Sequence, residues 1–238
     1  MNARGFIRKL PQYGLPIATV ILFAFLSFTA PSFLTGYNIQ NISRQVAALA
    51  VAAFGQAIVV ITAGLDLSVG ATMALVSVFF AIGTLKYGMF VGIIIALAIG
   101  LVVGFLNGSI VARFDISPFI VTMGMASIAR GIALTVTGGT PVHGMSEGFA
   151  EIGVGSFLGI PNPILIAIMA FFVCFFMLMY TRLGRHIYAV GGNKEASRLS
   201  GVKVDWCTVK VYLICGLLAA VAGIILTSRV RSGQPTLG

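Results

Sequence analysis

Charge is the scarcest property of this sequence. Only 9% of its 238 residues are Asp, Glu, Lys or Arg, six acidic against fifteen basic, where a soluble domain carries about 25%. A water-soluble globule is excluded, because 58% of the chain is hydrophobic and its long apolar blocks exceed what one aqueous core needs. Histidine is nearly missing. His143 and His186 are the only two, and they fall in segments expected on opposite sides of a membrane, which leaves neither a histidine metal site nor a shared acid–base pair. Cysteine supplies no framework: Cys174, Cys207 and Cys215 are an odd set without a C-x-x-C pair, in or beside apolar segments where a thiol acts as a small hydrophobe. The phosphate loop G-x-x-x-x-G-K-[ST], H-E-x-x-H, G-x-S-x-G and a G-x-G-x-x-G after a strand are all lacking. No bond chemistry, bound metal or bound cofactor is expected of this chain. The net charge of +9 is scattered among apolar blocks and forms no basic face, so nucleic acid is not an expected partner.

What is there is a series of apolar runs. A spanning helix takes about 20 mostly apolar residues, and seven stretches qualify: 14–30, 44–63, 68–85, 89–106, 118–137, 163–180 and 206–228. The fold class expected is all-α, a polytopic transmembrane helix bundle forming one domain over 1–238. Between Arg44 and Lys86 the only charge is Asp66, and 41 residues at about 1.5 Å each suit two spans with a turn at Gly64 and Asp66. Arg4, Arg8 and Lys9 ahead of residues 15–30 have the outline of a signal peptide, but Pro31 is a poor cleavage context and more spans follow, which favours a retained first helix.

Lys and Arg set the orientation. With the N-terminus inside, inner segments collect Arg4, Arg8, Lys9, Arg113, Arg182, Arg185, Lys194, Arg198 and Lys203, with Lys210 close by, against Arg44, Lys86, Arg229 and Arg231 outside. A cytoplasmic N-terminus is expected. The outer segment 138–163, rich in Gly and Pro and carrying His143, Glu147 and Glu151, reads as a shaped polar surface. The inner segment 181–206 holds a short helix that Asn193 caps and Gly201 stops, at the membrane surface; a solvated loop whose charges only set topology is the alternative.

Gly92, Ala96, Gly100, Gly104 and Gly108 recur every four residues, and Gly216, Ala219, Ala220 and Gly223 repeat the pattern, so close helix packing is expected. The few polar side chains within the spans, Gln56, Thr62, Asp66, Ser68, Asn107, Thr122, Ser127, Arg130, Thr135 and Thr137, are expected to face the bundle interior. Asp66 is either a functional ionisable group or part of a helix N-cap with Ser68. Arg130, near the middle of its span, needs a partner or a watery cavity. The translocation-region candidates are Asp66, Ser68, Asn107, Thr122, Arg130 and Thr137.

Three motifs carry a resemblance. The run Thr62-Ala63-Gly64-Leu65-Asp66-Leu67-Ser68-Val69-Gly70 is one; Ser117-Pro118-Phe119-Ile120-Val121-Thr122 through Ala129-Arg130-Gly131 to Thr137-Gly138-Gly139 is the second. The third runs from Gly184-Arg185-His186-Ile187-Tyr188 through Gly191-Gly192-Asn193-Lys194-Glu195-Ala196-Ser197-Arg198-Leu199-Ser200-Gly201 and on to Ser228-Arg229 and Ser232-Gly233-Gln234-Pro235. In these the chain resembles the membrane permease subunits of bacterial ATP-binding-cassette importers for ribose, xylose and arabinose. The resemblance implies that Gly191, Gly192, Asn193, Lys194, Glu195, Ala196, Arg198, Leu199, Ser200 and Gly201 form a cytoplasmic coupling helix that docks on a separate ATPase, where the ATP is bound. It also implies a periplasmic sugar-binding protein against 138–163, a second permease subunit completing the path as a homodimer, and a multi-pass location in the inner membrane. Such permeases carry about three further spans, roughly 80 residues with their loops, so the chain is expected to be incomplete at its C-terminus, with seven spans of about ten. An importer of nucleosides or another hydroxylated solute is the alternative within transport, and a non-transporting membrane scaffold the alternative outside it. An ion-coupled transporter is disfavoured, since the spans lack the several buried acids of an ion relay.

Overall fold

The computed structural model describes residues 3–145 and 147–238, the side chains of 3–13 and 147 excepted. Arg4, Arg8, Lys9 and Glu147, used above for topology and surface, therefore lie outside the described side chains. The chain divides into two compact units, residues 1–43 and 44–238. In the first, helix α1 (Ala3–Thr29) stops just before Pro31, as the clash of a proline ring with the preceding residue dictates. A short turn follows, pinned by Asn38 Nδ2 donating to the Phe33 carbonyl at 2.8 Å and by the Phe23 and Phe33 rings meeting edge to face. Helix α2 (Gly36–Ile61) begins here and continues into the second unit.

The second unit holds α3 (Val69–Tyr87), α4 (Met89–Phe114), α5 (Pro118–Thr137), α6 (Glu147–Val154), the two-residue strands β1 (Ser156–Phe157) and β2 (Ile160–Pro161), α7 (Asn162–Tyr180), α8 (Arg182–Gly192), α9 (Lys194–Leu199) and α10 (Val204–Val230). Six helices among the described residues, α2, α3, α4, α5, α7 and α10, are long and apolar enough to cross a membrane, and the first expected span falls on the apolar Gly14–Thr29 part of α1. The boundaries drawn from hydropathy hold at 118–137, where Pro118 opens the helix and Gly138 closes it in the left-handed conformation. They fall short for α4, which runs eight residues past 106 because Asn107, Ser109 and Arg113 extend the helix beyond its apolar stretch.

Helix α10 is the hub. It is buried along most of its length and packs on α4 through the expected small-residue stripes: a Cβ added at Gly100 would strike the Gly216 carbonyl, one at Gly104 the Tyr212 carbonyl, and one at Gly216 the Gly100 carbonyl. Backbones this close gain van der Waals contact that side chains would prevent. At the other end of the stripe, Gly92 lets α4 approach Thr84 and Phe80 of α3.

The 138–163 segment is more than a polar surface. Val142 bridges Gly233, α6 buries Phe149 and Ala150, and Phe149 stacks on Phe80 at 4.7 Å. A Gly- and Pro-rich run of this kind folds back because its apolar residues find a groove beside α10. The 181–206 segment contains two helices: α8 ends at Gly192, and extended backbone at Asn193 (φ −158°) starts α9. Gly191 and Gly192 thus close the earlier helix, and Asn193 caps the later one, its Oδ1 accepting from Ala196 N at 2.8 Å. Gly201, at φ +84°, ends it as expected.

Candidate functional site

Helix α3 runs alongside α10 in the same direction, for Tyr212 reaches the Leu65 carbonyl, Gly223 faces Met73 and Thr227 bonds Ser77. Asp66 lies beside Cys215, eleven residues into α10 or roughly 16 Å from its start. Residues 62–68 are therefore irregular backbone deep among helices, which lipid tolerates only where protein or a watery cavity surrounds it. Asp66, 6% exposed, accepts at Oδ1 from both the Ser68 amide (2.8 Å) and the Ser68 hydroxyl (2.6 Å). This is an aspartate turn over two residues. Ser68 occupies the N-cap position of α3 without a side-chain cap bond, so the N-cap reading of Asp66 gives way to one in which it braces the turn.

Asn107 reaches in from α4, its Nδ2 donating to Ser68 Oγ at 2.8 Å, while its buried Oδ1 has no partner. Thr122 reaches in from α5, its hydroxyl accepting from Leu67 N at 3.1 Å. Four of the six expected residues, Asp66, Ser68, Asn107 and Thr122, thus converge from three helices on one turn. Arg130 and Thr137 do not join them. Thr137 bonds back to the Ala133 carbonyl within its own helix, and Arg130, half-buried, donates from Nη2 to the Gly238 carbonyl at 3.3 Å. Among the described residues no carboxylate pairs with Arg130. Ser127 and Thr135, expected inside, are exposed: α5 buries only the face of Thr122, Ala129 and Ala133, and these two lie off it. Gln56 is half-buried with its Oε1 unpartnered, and Thr62 bonds the Val59 carbonyl.

A second irregular stretch also runs at depth. After α10, Gln234 N donates to Ser77 Oγ at 2.9 Å, and by Gly238 the chain lies against Gly70, seven residues or about 10 Å back along α3. Ser77, Thr227 and Tyr212 were not among the expected site residues. Each is a hydroxyl inside a largely apolar span, Thr227 with Ser228 beside it, which is the signal that points to them.

Beside the Asp66 turn lies a cleft of 340 Å³ lined by residues of four segments, among them Thr62 and Gly64, Ser117 and Pro118, Gly191 and Lys194, and Thr208 of α10. Gly191 abuts the end of α2, where a Cβ would strike the Ile61 carbonyl. Lys194 Nζ meets Asp115 Oδ1 at 2.8 Å, and this hydrogen-bonded ammonium holds the Asp115 carboxyl below the ordinary carboxylate range. Arg198 pairs with Glu195 at 3.0 Å and Asp205 at 3.5 Å.

Residues 38–238 match the family described as "Branched-chain amino acid transport system / permease component". The chain belongs to this permease family. A ribose import permease protein of Escherichia coli K12 is 41% identical over 227 residues, 93% of this chain and 71% of that one. Its counterpart in Bacillus subtilis is 42% identical over 98% of this chain and 73% of its own length. An L-arabinose ABC transporter permease protein of Azospirillum brasilense is 36% identical over 98% of this chain. No solved structure matches. The permease is thus a multi-pass membrane protein, with its buried polar turn enclosed by α3, α4, α5 and α10.

Proposed function

We propose that this permease is the membrane subunit of an ATP-driven importer that carries a monosaccharide of the ribose type across the bacterial inner membrane, its N-terminus cytoplasmic. The observation that carries this is the 41–42% identity to ribose import permeases over 93–98% of the chain. A separate ATPase binds the segment of α8 and α9 from Gly191 to Gly201, a periplasmic binding protein delivers the sugar at 138–163, and a second copy of the permease completes the path. The geometry supports that division: Gly191 touches the end of α2, the next residues lead into the Asp66 turn, and the cleft between them gives the turn room to move.

The mechanism is alternating access. Nucleotide and sugar act only through their different affinities for the inward- and outward-open states, so closure of the ATPases displaces α8 and α9, and the displacement reaches 62–68 through Gly191 and reaches the α4–α5 connection through the Lys194–Asp115 pair. In the cluster of Asp66, Ser68, Asn107 and Thr122 the one carboxylate is already met by Ser68, and the amide and hydroxyl groups beside it are of the kind that suits a neutral polyol. Arg130 and Thr137 are further candidates along the path.

Uptake of radiolabelled ribose by cells expressing the permease with its ATPase and binding protein tests this. Charge reversal by Glu195→Arg and Arg198→Glu should abolish uptake or detach the ATPase, with membrane insertion unchanged. Normal uptake and normal ATPase retention in both variants would overturn the assignment of 191–201. Uptake of a nucleoside in place of ribose, by the unaltered permease, would move the substrate to the alternative class.

A further inference from the structure

Lys203, Trp206 and Lys210 stand at spacings of three and four residues around the start of α10, which places them on one face. All three are exposed, and with Leu183 and His186 of α8 they line a cleft of 490 Å³ that has no acid in its wall. The nearby carboxylates are already engaged: Glu195 and Asp205 both pair with Arg198, while Lys194 is held by Asp115. Among the described residues, Lys203 and Lys210 have no carboxylate partner, nor do Arg182 and Arg185 on the exposed side of α8. Two cations thus line the cleft and two more stand on the exposed side of α8, with no carboxylate among the described residues to neutralise them.

Their position says what neutralises them. The 27 residues of α10 extend about 40 Å, more than the roughly 30 Å of a hydrocarbon core, so the first turn of the helix stands among lipid headgroups. Trp206 there is an amphipathic ring at the level such rings occupy. Lys210 follows within about 9 Å of the helix start, with an apolar stem long enough to return its ammonium to the interface. Helix α8 buries Gly184, Ile187 and Val190 against the rest of the protein and exposes Arg182, Arg185 and His186, so its basic side faces outward next to the cleft.

We propose that the cleft between α8 and the start of α10 binds the phosphate of an anionic glycerophospholipid, with Lys203 and Lys210 on the phosphate oxygens and Trp206 and Leu183 against the glycerol and upper acyl chain. Basic pockets between membrane helices take headgroups in this way. A lipid fits better than free phosphate because half the wall is apolar, and better than an acidic protein segment because the face continues into the bilayer-embedded part of α10. The inference does not depend on the sugar-import reading.

Native mass spectrometry of the detergent-purified permease, titrated with phosphatidylglycerol or phosphatidylcholine, tests it. Phosphatidylglycerol should stay bound where phosphatidylcholine does not, and millimolar inorganic phosphate should fail to displace it. Lys203→Gln with Lys210→Gln should weaken phosphatidylglycerol roughly 30-fold, the contribution of two basic residues near an anionic surface. Lys203→Arg with Lys210→Arg should restore it, and Lys86→Gln, distant in the fold, should leave it unchanged. Equal retention of both lipids overturns the proposal, as does unchanged binding in the Gln variant. Displacement by inorganic phosphate assigns the cleft to a soluble anion instead. Loss of a co-purifying ATPase with lipid binding intact assigns it to that protein. Should the Gln variant fail to fold, the lipid selectivity of the unaltered permease and the behaviour of the Arg variant decide the matter.

Discussion

Asp66 is costly where it stands, since a carboxylate removed from water must have its lone pairs met. The Ser68 amide and hydroxyl meet them, and Asn107 holds the hydroxyl in place. Asp66→Ala should therefore leave two buried donors without an acceptor and lower stability by about 1–3 kcal/mol for each group left unpaired. Asp66→Asn, which retains an acceptor oxygen at the same place, should lose clearly less. Thermal unfolding in detergent compares the two, and equal midpoints would show that the turn does not rest on this pairing. Asp115 behaves differently because it is exposed and held by a single lysine. Its folded-state value is depressed, so the pair's contribution is present above the ordinary carboxylate range and fades as pH falls through the depressed value. A carbon-detected NMR titration of Asp115 should show its midpoint rise in Lys194→Gln and in high salt, which screens an exposed pair. An unmoved midpoint in Lys194→Gln would mean that another group depresses it.

Among the helices, glycine has two uses that the sequence alone does not separate. Gly100, Gly104, Gly108 and Gly216 sit where α4 and α10 touch backbone to backbone, whereas Gly124 and Gly131 of α5 have nothing within 4 Å of an added Cβ. Gly104→Ala should accordingly destabilise by about 1–3 kcal/mol through overpacking, and Gly131→Ala should be neutral or stabilise by up to about 1 kcal/mol through helix propensity. Unfolding midpoints measured side by side check the contrast, and a Gly131→Ala loss as large as that of Gly104→Ala would reveal a neighbour packed against α5. The four-residue period of the first stripe was legible because close helix approach requires small residues at that interval. The burial of Thr122 beside the exposure of Ser127 and Thr135 was not legible, because a polar residue in an apolar span shows that a partner is needed and leaves open which helix face has one.

For the whole molecule, the connection between its ends is the property of interest. Gly191 lies against the end of α2, the following residues enter the Asp66 turn, and the cleft of 340 Å³ lies between them. On the proposed mechanism Gly191→Ala should push α8 off Ile61, leave the ATPase bound, and lower uptake per ATP hydrolysed at least tenfold. Reconstituted vesicles reporting both rates would show it, and an unchanged ratio would place the transmission elsewhere, with Lys194–Asp115 the next contact to break.

Composition and apolar run length were enough to determine a polytopic helical membrane protein, because a bilayer of fixed thickness forces about 20 apolar residues per crossing and leaves few places for charge. Local chemistry likewise determined the cap at Asn193 and the stop at Gly201, which depend on neighbours within a few residues. Only the tertiary structure decided that Asp66, Ser68, Asn107 and Thr122 meet while Arg130 and Thr137 stand apart, that Tyr212 reaches the same turn, and that 138–163 folds back onto α10. Those outcomes depend on how helices distant in sequence rotate about their axes and pack, and rotation is fixed by side-chain contacts between helices that no single helix encodes.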